Sequence, residues 1–392
     1  MTLGLDDLRR HAVARSLFAP TTLSRALARL GFVQADPIRA PARAQDLTLR
    51  HRVRGYRAGD LERRYGQLAV EEDFFVNYGF VRPDLQAWMH PRTPRSGWNA
   101  EQTRQADAVL DVVRDLGEAH PACVDAALAQ GRVSSPFGGA VRASTRWLDS
   151  LHLRGQLRVV RRESGVRVYA LREPWPPAAD PQAALDGLLD AIVALYAPVP
   201  AASLVQLSAL LRSGVPQWDG LRAAALARAR ARLARARVDG LDWYWPVGED
   251  PRAARHRLDD AVRLLAPFDP VVWDRRRFER FWGWAYRFEA YTPPARRRLG
   301  YYALPLLWQG QVIGWGNAAV REGRLVVEPG YVAGQPPASA AFRAALDEEI
   351  ERLRVFVGAQ SACGGVGDAP AAGMDGPPAG APSSAGGATA AR

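Results

Sequence analysis

An amide and a carboxylate stand two positions apart near the N-terminus, at Gln34 and Asp36, inside an otherwise apolar run. Alternate residues of a β-strand share a face, so the two side chains would project together from a strand. A carboxylate beside an apolar wall can activate water or stabilise a nearby cation. The same spacing suits a strand end, where Asp36 caps a turn at Pro37 and Gln34 is only solvated. Spacing alone leaves both interpretations open.

Length and composition limit the class of protein to which this pair could belong. The chain has 392 residues, 48% of them hydrophobic, which suits roughly two to four domains with real cores. No apolar run approaches the roughly 20 residues of a transmembrane helix, and the charged N-terminus lacks the apolar core of a signal peptide. We therefore expect a soluble, cytoplasmic protein without membrane contact. Two cysteines and six scattered histidines predict no disulfide framework, no metal site and no cofactor.

The charge of the chain favours a polyanionic partner, nucleic acid above all. The formal net charge is +11, and all 52 basic residues are arginine. Uniform use of arginine is typical of a GC-rich genome, so the excess of positive charge is more informative than the type of cation. Without lysine, only the α-amino group could form a Schiff base. An enzyme of this composition that acts on a sugar carbon should therefore use water.

The segments around the pair predict small helical modules. Residues 3–31 are expected to form two helices that lead directly into the Gln34/Asp36 strand, as in a winged helix or another small α+β unit. The next segment predicts three helices and then a hairpin with a glycine turn, at 101–116, 124–129, 142–153, 157–162 and 166–169. Helix-turn-helix with a basic hairpin indicates a winged helix, although such modules also bind proteins.

The rest of the chain predicts another helical module, a strand-rich domain and a tail. A proline-rich linker at 174–181 precedes three expected helices, at 183–196, 202–211 and 221–236. A dense run of arginines in the last helix is either a solvated face or a phosphate-binding face. Aromatic residues and alternating strands then predict an antiparallel sheet or small barrel packed by one helix, and an Ala/Gly/Pro/Ser tail is expected to be disordered.

The fold class predicted from the residues is α+β, with tandem winged-helix domains followed by a C-terminal antiparallel sheet or β-barrel. The predicted boundaries are 1–100, 101–176 and 177–254 for the winged helices, 255–357 for the barrel and 358–392 for the tail.

Several segments together resemble the AlkZ/YcaQ (AlkX) family of winged-helix DNA glycosylases. The resemblance covers about residues 5–356 and is most specific in the C-terminal part, where unusual aromatic residues recur in order. The matching segments are 34–36, 38–47, 141–148, 265–277, 286–291 and 300–305.

The resemblance implies three tandem winged helices and a β-barrel around a basic channel for duplex DNA. Family members excise N7-alkylated purines, and some unhook interstrand crosslinks, with a Gln-x-Gln or Gln-x-Asp catalytic pair. Gln34 and Asp36 place this chain in the Gln-x-Asp branch. It is therefore expected to be a monofunctional glycosylase and a monomer. The chain departs from the family pattern at Trp315, at Asn317 and in segment 71–75, which bears on the choice of lesion.

The expected reaction is hydrolysis in which Asp36 polarises water and offsets positive charge at C1′, while Gln34 positions the water or the sugar. Most DNA contacts should be phosphate contacts. The predicted residues are Arg39, Arg43, His51, Arg52, Arg142, Arg146, Arg154 and Arg161. A lone histidine such as His51 is more often structural. The alternatives are a non-enzymatic DNA-binding protein, such as a regulator or lesion-binding factor, and a protein-interaction scaffold.

Overall fold

The computed structural model describes residues 2–94, 96–128, 132–134, 140–175 and 180–360, without the side chains of 132–134 and 140–142. The fold is mixed α+β, and its sheets are small and antiparallel. Three helical modules each contain a three-stranded sheet, and a four-stranded sheet follows them. The expected tail lies outside the described residues from position 361 onward.

The first module carries Gln34 and Asp36. Its elements are α1 (Leu5–Ser16), α2 (Leu23–Leu30), β1 (Phe32–Gln34), α3 (Ala44–Leu49), α4 (Asp60–Arg63), β2 (Glu71–Phe74), β3 (Tyr78–Val81) and α5 (Pro83–Met89). The hydroxyl of Thr22 caps α2, and the helix ends at Gly31, whose φ of 72° is costly for other residues. The chain therefore turns at once into β1, in a sheet of order β1-β3-β2.

The strand that carries Gln34 lies very close to its neighbour at Gly79, which pairs with Gln34 in the sheet. A Cβ atom on Gly79 would meet the carbonyl oxygen of Val33 and would lie 2.9 Å from the Cα atom of Gln34. Only glycine permits this approach of the two backbones. The backbone of Gln34 is thereby held against β3.

The second and third modules repeat the strand order of the first. The second contains α6 (Ala100–Leu116), β4 (Glu118–Ala119), α7 (Pro121–Leu128), β5 (Arg132–Ser134), β6 (Ala140–Arg142), α8 (Ala143–Leu153), β7 (Leu157–Glu163) and β8 (Val166–Leu171). The third contains α9 (Pro181–Tyr196), β9 (Val199–Pro200), α10 (Ala201–Gly214), α11 (Arg222–Arg232), β10 (Ala234–Val238) and β11 (Leu241–Trp245). In each module the first short strand pairs with the last strand of a hairpin, which gives the orders β4-β8-β7 and β9-β11-β10.

The predicted helix 221–236 is wrong at its C-terminal end. Helix α11 ends at Arg232, and Leu233 is extended. The alternation of alanine and arginine from residue 234 onward has the period of a strand and forms β10. Within the arginine run, Arg228 pairs with Asp186 at 2.9 Å and Arg232 pairs with Asp190 at 2.8 Å. These ion pairs favour the solvated face over a phosphate-binding face.

The C-terminal part is an open sheet, so the predicted closed barrel is wrong. Its elements are β12 (Arg263–Leu264), α12 (Arg275–Trp282), β13 (Leu304–Trp308), β14 (Gln311–Arg321), β15 (Arg324–Tyr331) and α13 (Ala340–Val357). The order is β12-β13-β14-β15, and within the described ranges the two edge strands do not pair with each other. With only two residues, β12 is too short to close a barrel against β15. Helix α13 packs against both edge strands instead.

Aromatic contacts join the modules to the C-terminal part. Trp243 of the third module stacks on Phe281 of α12 with ring centroids 5.2 Å apart, and Tyr196 of α9 packs against Trp273 at 5.5 Å. None of the helices in the described ranges is long and apolar enough to cross a bilayer. The same ranges contain no cluster of His, Cys, Asp and Glu that could hold a metal ion.

Candidate active site

Gln34 is the last residue of β1, and only 7% of its surface is exposed. The indole N–H of Trp273 donates a hydrogen bond to Oε1 of Gln34 at 2.7 Å. Because the indole nitrogen can only donate, this contact fixes the orientation of the amide. Among the residues described, none accepts a hydrogen bond from the amide nitrogen of Gln34. The side chain therefore presents two N–H donors to whatever enters the site.

Asp36 follows the strand and is 8% exposed. The backbone N–H of Ile38 donates to Oδ1 of Asp36 at 2.9 Å, and the backbone N–H of Asp36 donates to Oε1 of Gln45 at 3.3 Å. Burial raises the pKa of Asp36 to about 6, and the Ile38 hydrogen bond only partly opposes it. Oδ2 accepts no hydrogen bond from any described residue. Asp36 therefore both caps the turn and keeps one oxygen available for chemistry.

Aromatic side chains surround the pair. Tyr302 is 2% exposed, and its hydroxyl has no hydrogen-bond partner among the described residues. Burial raises the pKa of Tyr302, and the nearby charge of Asp36 raises it further. Phe288 packs edge-on against Tyr302 with ring centroids 5.3 Å apart. These apolar surroundings explain why the charged form of Asp36 is disfavoured.

Buried Arg52 and half-buried Arg275 hold the segment that carries Trp273. Arg52 makes a two-pronged ion pair with Asp269, at 2.7 and 3.0 Å. Arg275 donates to the carbonyl oxygens of Val272 at 2.6 Å and of Pro267 at 2.9 Å. Sequence reasoning missed Trp273, Asp269 and Arg275 as parts of the site, because Trp273 lies 239 positions from Gln34. The only available signal was their place in the matching segment 265–277.

Two of the predicted DNA contacts lie in the loop that follows Asp36. Arg39 is exposed and has no ion pair with a described residue. Arg43 is 8% exposed and pairs with Glu62, and burial lowers the pKa of Arg43 to about 10, so the guanidinium stays charged at neutral pH. A Cβ atom on Gly165 would lie 2.5 Å from the guanidinium of Arg43 and 3.7 Å from that of Arg39. The structure thus brings these arginines to the hairpin turn of the second module.

His51 and Arg52 have structural roles instead. The Nε2 atom of His51 lies 3.0 Å from the carbonyl oxygen of Leu264, and burial holds the pKa of His51 well below its usual value. Arg52 is 0% exposed, and its guanidinium contacts Asp269, Ser16 and Thr48. A neutral ring and an enclosed guanidinium cannot hold phosphate. We therefore leave both residues out of the proposed DNA interface.

The predicted arginines of the second module differ in their surroundings. Arg146 of α8 is exposed and has no ion pair among the described residues. Arg154 lies over the ring of Trp98 at 3.8 Å, and the exposed Arg161 pairs with Glu163 at 2.7 Å and with Glu118. Arg142 is in β6, but its side chain lies outside the described part of the chain. Arg39 and Arg146 are thus the predicted contacts whose charges are most available.

The atypical segment 71–75 has a structural role. Glu72 and Asp73 are each 1% exposed. Glu72 accepts from Nε of Arg162 in the second module at 2.7 Å, and Asp73 pairs with Arg92 at 3.0 Å. The segment therefore joins the first module to the hairpin of the second.

Comparison with known proteins shows the family and the fold of this chain. The family model described as "DNA glycosylase AlkZ-like" matches residues 27–356. The fold is similar to that of Streptomyces sahachiroi DNA glycosylase AlkZ, with a TM-score of 0.57 and 15% sequence identity, over 92% of this chain and 98% of that chain. The structural likeness is one of fold, whereas the family match covers most of the chain and includes Gln34, Asp36 and Trp273. The chain therefore belongs to the AlkZ-like family of DNA glycosylases.

Proposed function

We propose that the protein is a monofunctional glycosylase that hydrolyses the N-glycosidic bond of N7-alkylated purines in duplex DNA, including guanines joined in interstrand crosslinks. The observation that carries this proposal is the Gln34/Asp36 pair. A desolvated carboxylate with one oxygen available lies beside an amide that presents only donors. The family membership supplies the reaction class, and the chemistry of this pair supports the choice of substrate.

The substrate itself reduces the demands on the enzyme. Alkylation at N7 makes the purine cationic, so the base leaves as a neutral molecule and needs no strong general acid. The C1′–N9 bond breaks with its electron pair going to the base, and positive charge develops on the sugar. Ionised Asp36 offsets that charge, which is weakly screened in a buried site. Water then forms the new bond to C1′ and transfers a proton to Asp36.

Gln34 has a positioning role in this mechanism. Its N–H donors can hold an oxygen atom of the sugar or of the attacking water. Trp273 fixes the amide in this orientation. A water held from two sides loses less entropy when it reacts, which contributes to the rate.

We interpret the three modules as winged helices that hold the duplex, because each combines helices with a three-stranded sheet of the same strand order. Arg39 and Arg146 supply phosphate contacts, and the charge of Arg43 lies beside Arg39 at the hairpin turn of the second module. Such contacts position DNA without reading its sequence. That suits an enzyme that must find lesions in any sequence.

Binding to undamaged duplex is expected to depend strongly on salt. Each phosphate contact contributes a slope of about −0.9 to a plot of log K against log salt. Arg39→Gln and Arg146→Gln are each expected to reduce the slope by about 1. The matched control is Arg104→Gln, which removes an exposed charge already paired with Glu101 and should leave the slope unchanged. A nearly flat plot for the unaltered chain would contradict a phosphate-dominated interface.

Base release is expected to depend on pH through Asp36. Only the ionised form can accept a proton from water, and burial raises the pKa of Asp36 to about 6. The rate should reach a plateau above about pH 7 and fall about tenfold per pH unit well below pH 6. The measurement is single-turnover release of N7-methylguanine between pH 5 and pH 8. An unchanged rate across that range would contradict a role for the Asp36 carboxylate.

The decisive test of the proposed function is release of a free base. The full chain is incubated with a duplex containing one N7-methylguanine and, separately, with a duplex carrying a mustard crosslink between guanine N7 atoms. We expect free N7-methylguanine, an intact sugar–phosphate backbone and unhooking of the crosslink. Tight binding to both duplexes without base release would favour a non-enzymatic DNA-binding protein instead.

A further inference from the structure

A large aromatic side chain is exposed beside the Gln34/Asp36 site. Tyr291 is 69% exposed. Its ring packs edge-on against Phe288 at 5.9 Å, and Phe288 packs in turn against the buried Tyr302 at 5.3 Å. Burial and then the charge of Asp36 raise the pKa of Tyr291, which agrees with a position near that carboxylate. Tyr291 thus extends the aromatic surroundings of Asp36 out to solvent.

The loop that begins at Tyr291, residues 291–299, is held in place at its far end; we call it the Tyr291 loop. The buried carboxylate of Glu289 accepts hydrogen bonds from the backbone N–H groups of Arg298 at 2.8 Å and Leu299 at 2.7 Å. Asn317 of β14 donates to the carbonyl oxygen of Leu299 at 2.7 Å. Because these bonds come from two different segments of the chain, the loop is pre-organised before any DNA binds. The departure from the family pattern at Asn317 therefore bears on this loop.

The Tyr291 loop carries three consecutive arginines with different surroundings. Arg297 lies over the ring of Tyr301 at 5.0 Å and donates to the carbonyl oxygen of Thr292 at 2.7 Å. Arg296 and Arg298 are exposed, and neither guanidinium has an ion-pair partner in the part of the chain that the structure describes. The loop thus presents one aromatic ring and two unpaired cations. A stacking surface flanked by cations is the arrangement with which proteins hold an unpaired nucleotide.

We propose that Tyr291 stacks on the purine ring of the damaged nucleotide, and that Arg296 and Arg298 hold the phosphates that flank it. This inference rests on the proposed function and specifies how the substrate is chosen. An electron-rich phenol ring attracts a cationic N7-alkylated purine more strongly than a neutral purine. Tyr291 is thereby a specificity-determining residue that holds the charged base within reach of Asp36.

The test of stacking measures binding without turnover. One duplex carries N7-methylguanine on a 2′-fluorinated sugar, which resists hydrolysis because fluorine disfavours positive charge at C1′. A second duplex carries unmodified guanine on the same sugar. Tyr291→Ala should lower the preference for the methylated duplex about tenfold, the size of one base–aromatic stack. Tyr291→Phe, which keeps the ring, should retain the preference. An unchanged preference in Tyr291→Ala would overturn the stacking role.

The phosphate contacts are tested by salt dependence. Arg296→Gln with Arg298→Gln should reduce the slope of log K against log salt by about 2. The control is Arg104→Gln with Arg114→Gln, which removes two exposed charges that are already paired within α6, and it should not change the slope. Equal slopes for the two double variants would overturn the phosphate role of the loop.

The two proposals fail in different ways. If the unaltered chain releases N7-methylguanine but Tyr291→Ala keeps its binding preference, only the stacking inference is wrong. If the unaltered chain binds the methylated duplex preferentially and loses that preference in Tyr291→Ala, yet releases no base, the stacking inference holds and the hydrolytic function is wrong. If the unaltered chain shows no preference for the methylated duplex, the stacking inference is wrong whatever the release assay shows.

Discussion

Asp36→Asn is expected to lower the rate of N7-methylguanine release by at least about 10²-fold, the usual size of a general acid–base contribution. The amide keeps the shape of the side chain and can still accept the hydrogen bond from Ile38. It cannot accept a proton from water or offset positive charge at C1′. Affinity for undamaged duplex should change little, because Asp36 is not a phosphate contact. The measurements are single-turnover release and duplex binding under the same conditions.

The same substitution is expected to stabilise the folded protein at pH 8. Burial raises the pKa of Asp36 from 3.8 to about 6, so the folded state binds this proton more tightly than the unfolded chain does. The stability linked to that proton is present below about pH 4 and is lost as the pH rises through 6. A shift of about two pKa units corresponds to at most about 3 kcal/mol in the free energy of unfolding. Urea unfolding should show a gain for Asp36→Asn at pH 8 that shrinks toward pH 4.

This combination separates lost chemistry from lost structure. A slow variant that unfolds at higher urea concentration has lost the carboxylate and kept the fold. Gln34→Ala is the second variant to compare. Its rate of base release should lie between those of the unaltered chain and Asp36→Asn, because Asp36 can still act on a less well-positioned water. Full activity in Asp36→Asn would remove the assignment of this residue. A slow variant that is also less stable at pH 8 would point to damaged packing.

The local parts of the fold could be predicted from sequence because local chemistry determines them. The helix that ends at Leu153 and the hairpin at Gly165 follow from apolar spacing, strand alternation and a glycine that adopts a φ of 90°. The sequence predicts too long a helix α11 because arginine and alanine are good helix formers. The alternation from residue 234 was the better signal. Strand content leaves a sheet or a small barrel open, and the resemblance implies the barrel. Closure depends on pairing between β12 and β15, which composition does not reveal.

In the candidate site, too, contacts between distant segments could not be predicted from the sequence. Gln34 and Asp36 could be found because they are neighbours in sequence. Trp273, which orients Gln34, could not be linked to it by any spacing rule. The sequence around Arg39 and Arg52 does not distinguish the two side chains. Arg39 is exposed, whereas Arg52 is fully buried and forms an ion pair with Asp269. Which arginine meets solvent is decided by packing between distant segments, so charge alone does not show which arginines are accessible to DNA.

Arg52→Met is expected to lower the free energy of unfolding by about 3–5 kcal/mol, because it leaves the carboxylate of Asp269 buried without its partner. Methionine has a similar length, so the loss of packing is small. The guanidinium of Arg52 donates hydrogen bonds to Asp269, Ser16 and Thr48. Urea unfolding at pH 7.5 measures the effect. Arg104→Gln is the control, since its exposed ion pair should contribute nothing measurable.

The double variant Arg52→Met with Asp269→Leu shows whether the ion pair is needed for the stability of the fold or for the position of Trp273. Replacing both charges with apolar side chains should recover most of the lost stability, as it does for many buried pairs. Asp269 also accepts the backbone N–H of Val271 at 3.0 Å, in the segment that leads to Trp273. We therefore expect the double variant to fold well but to release N7-methylguanine more slowly, because Trp273 no longer orients Gln34. If the double variant recovers full activity as well as stability, the ion pair only offsets the cost of burying its two charges and is not needed to orient Trp273.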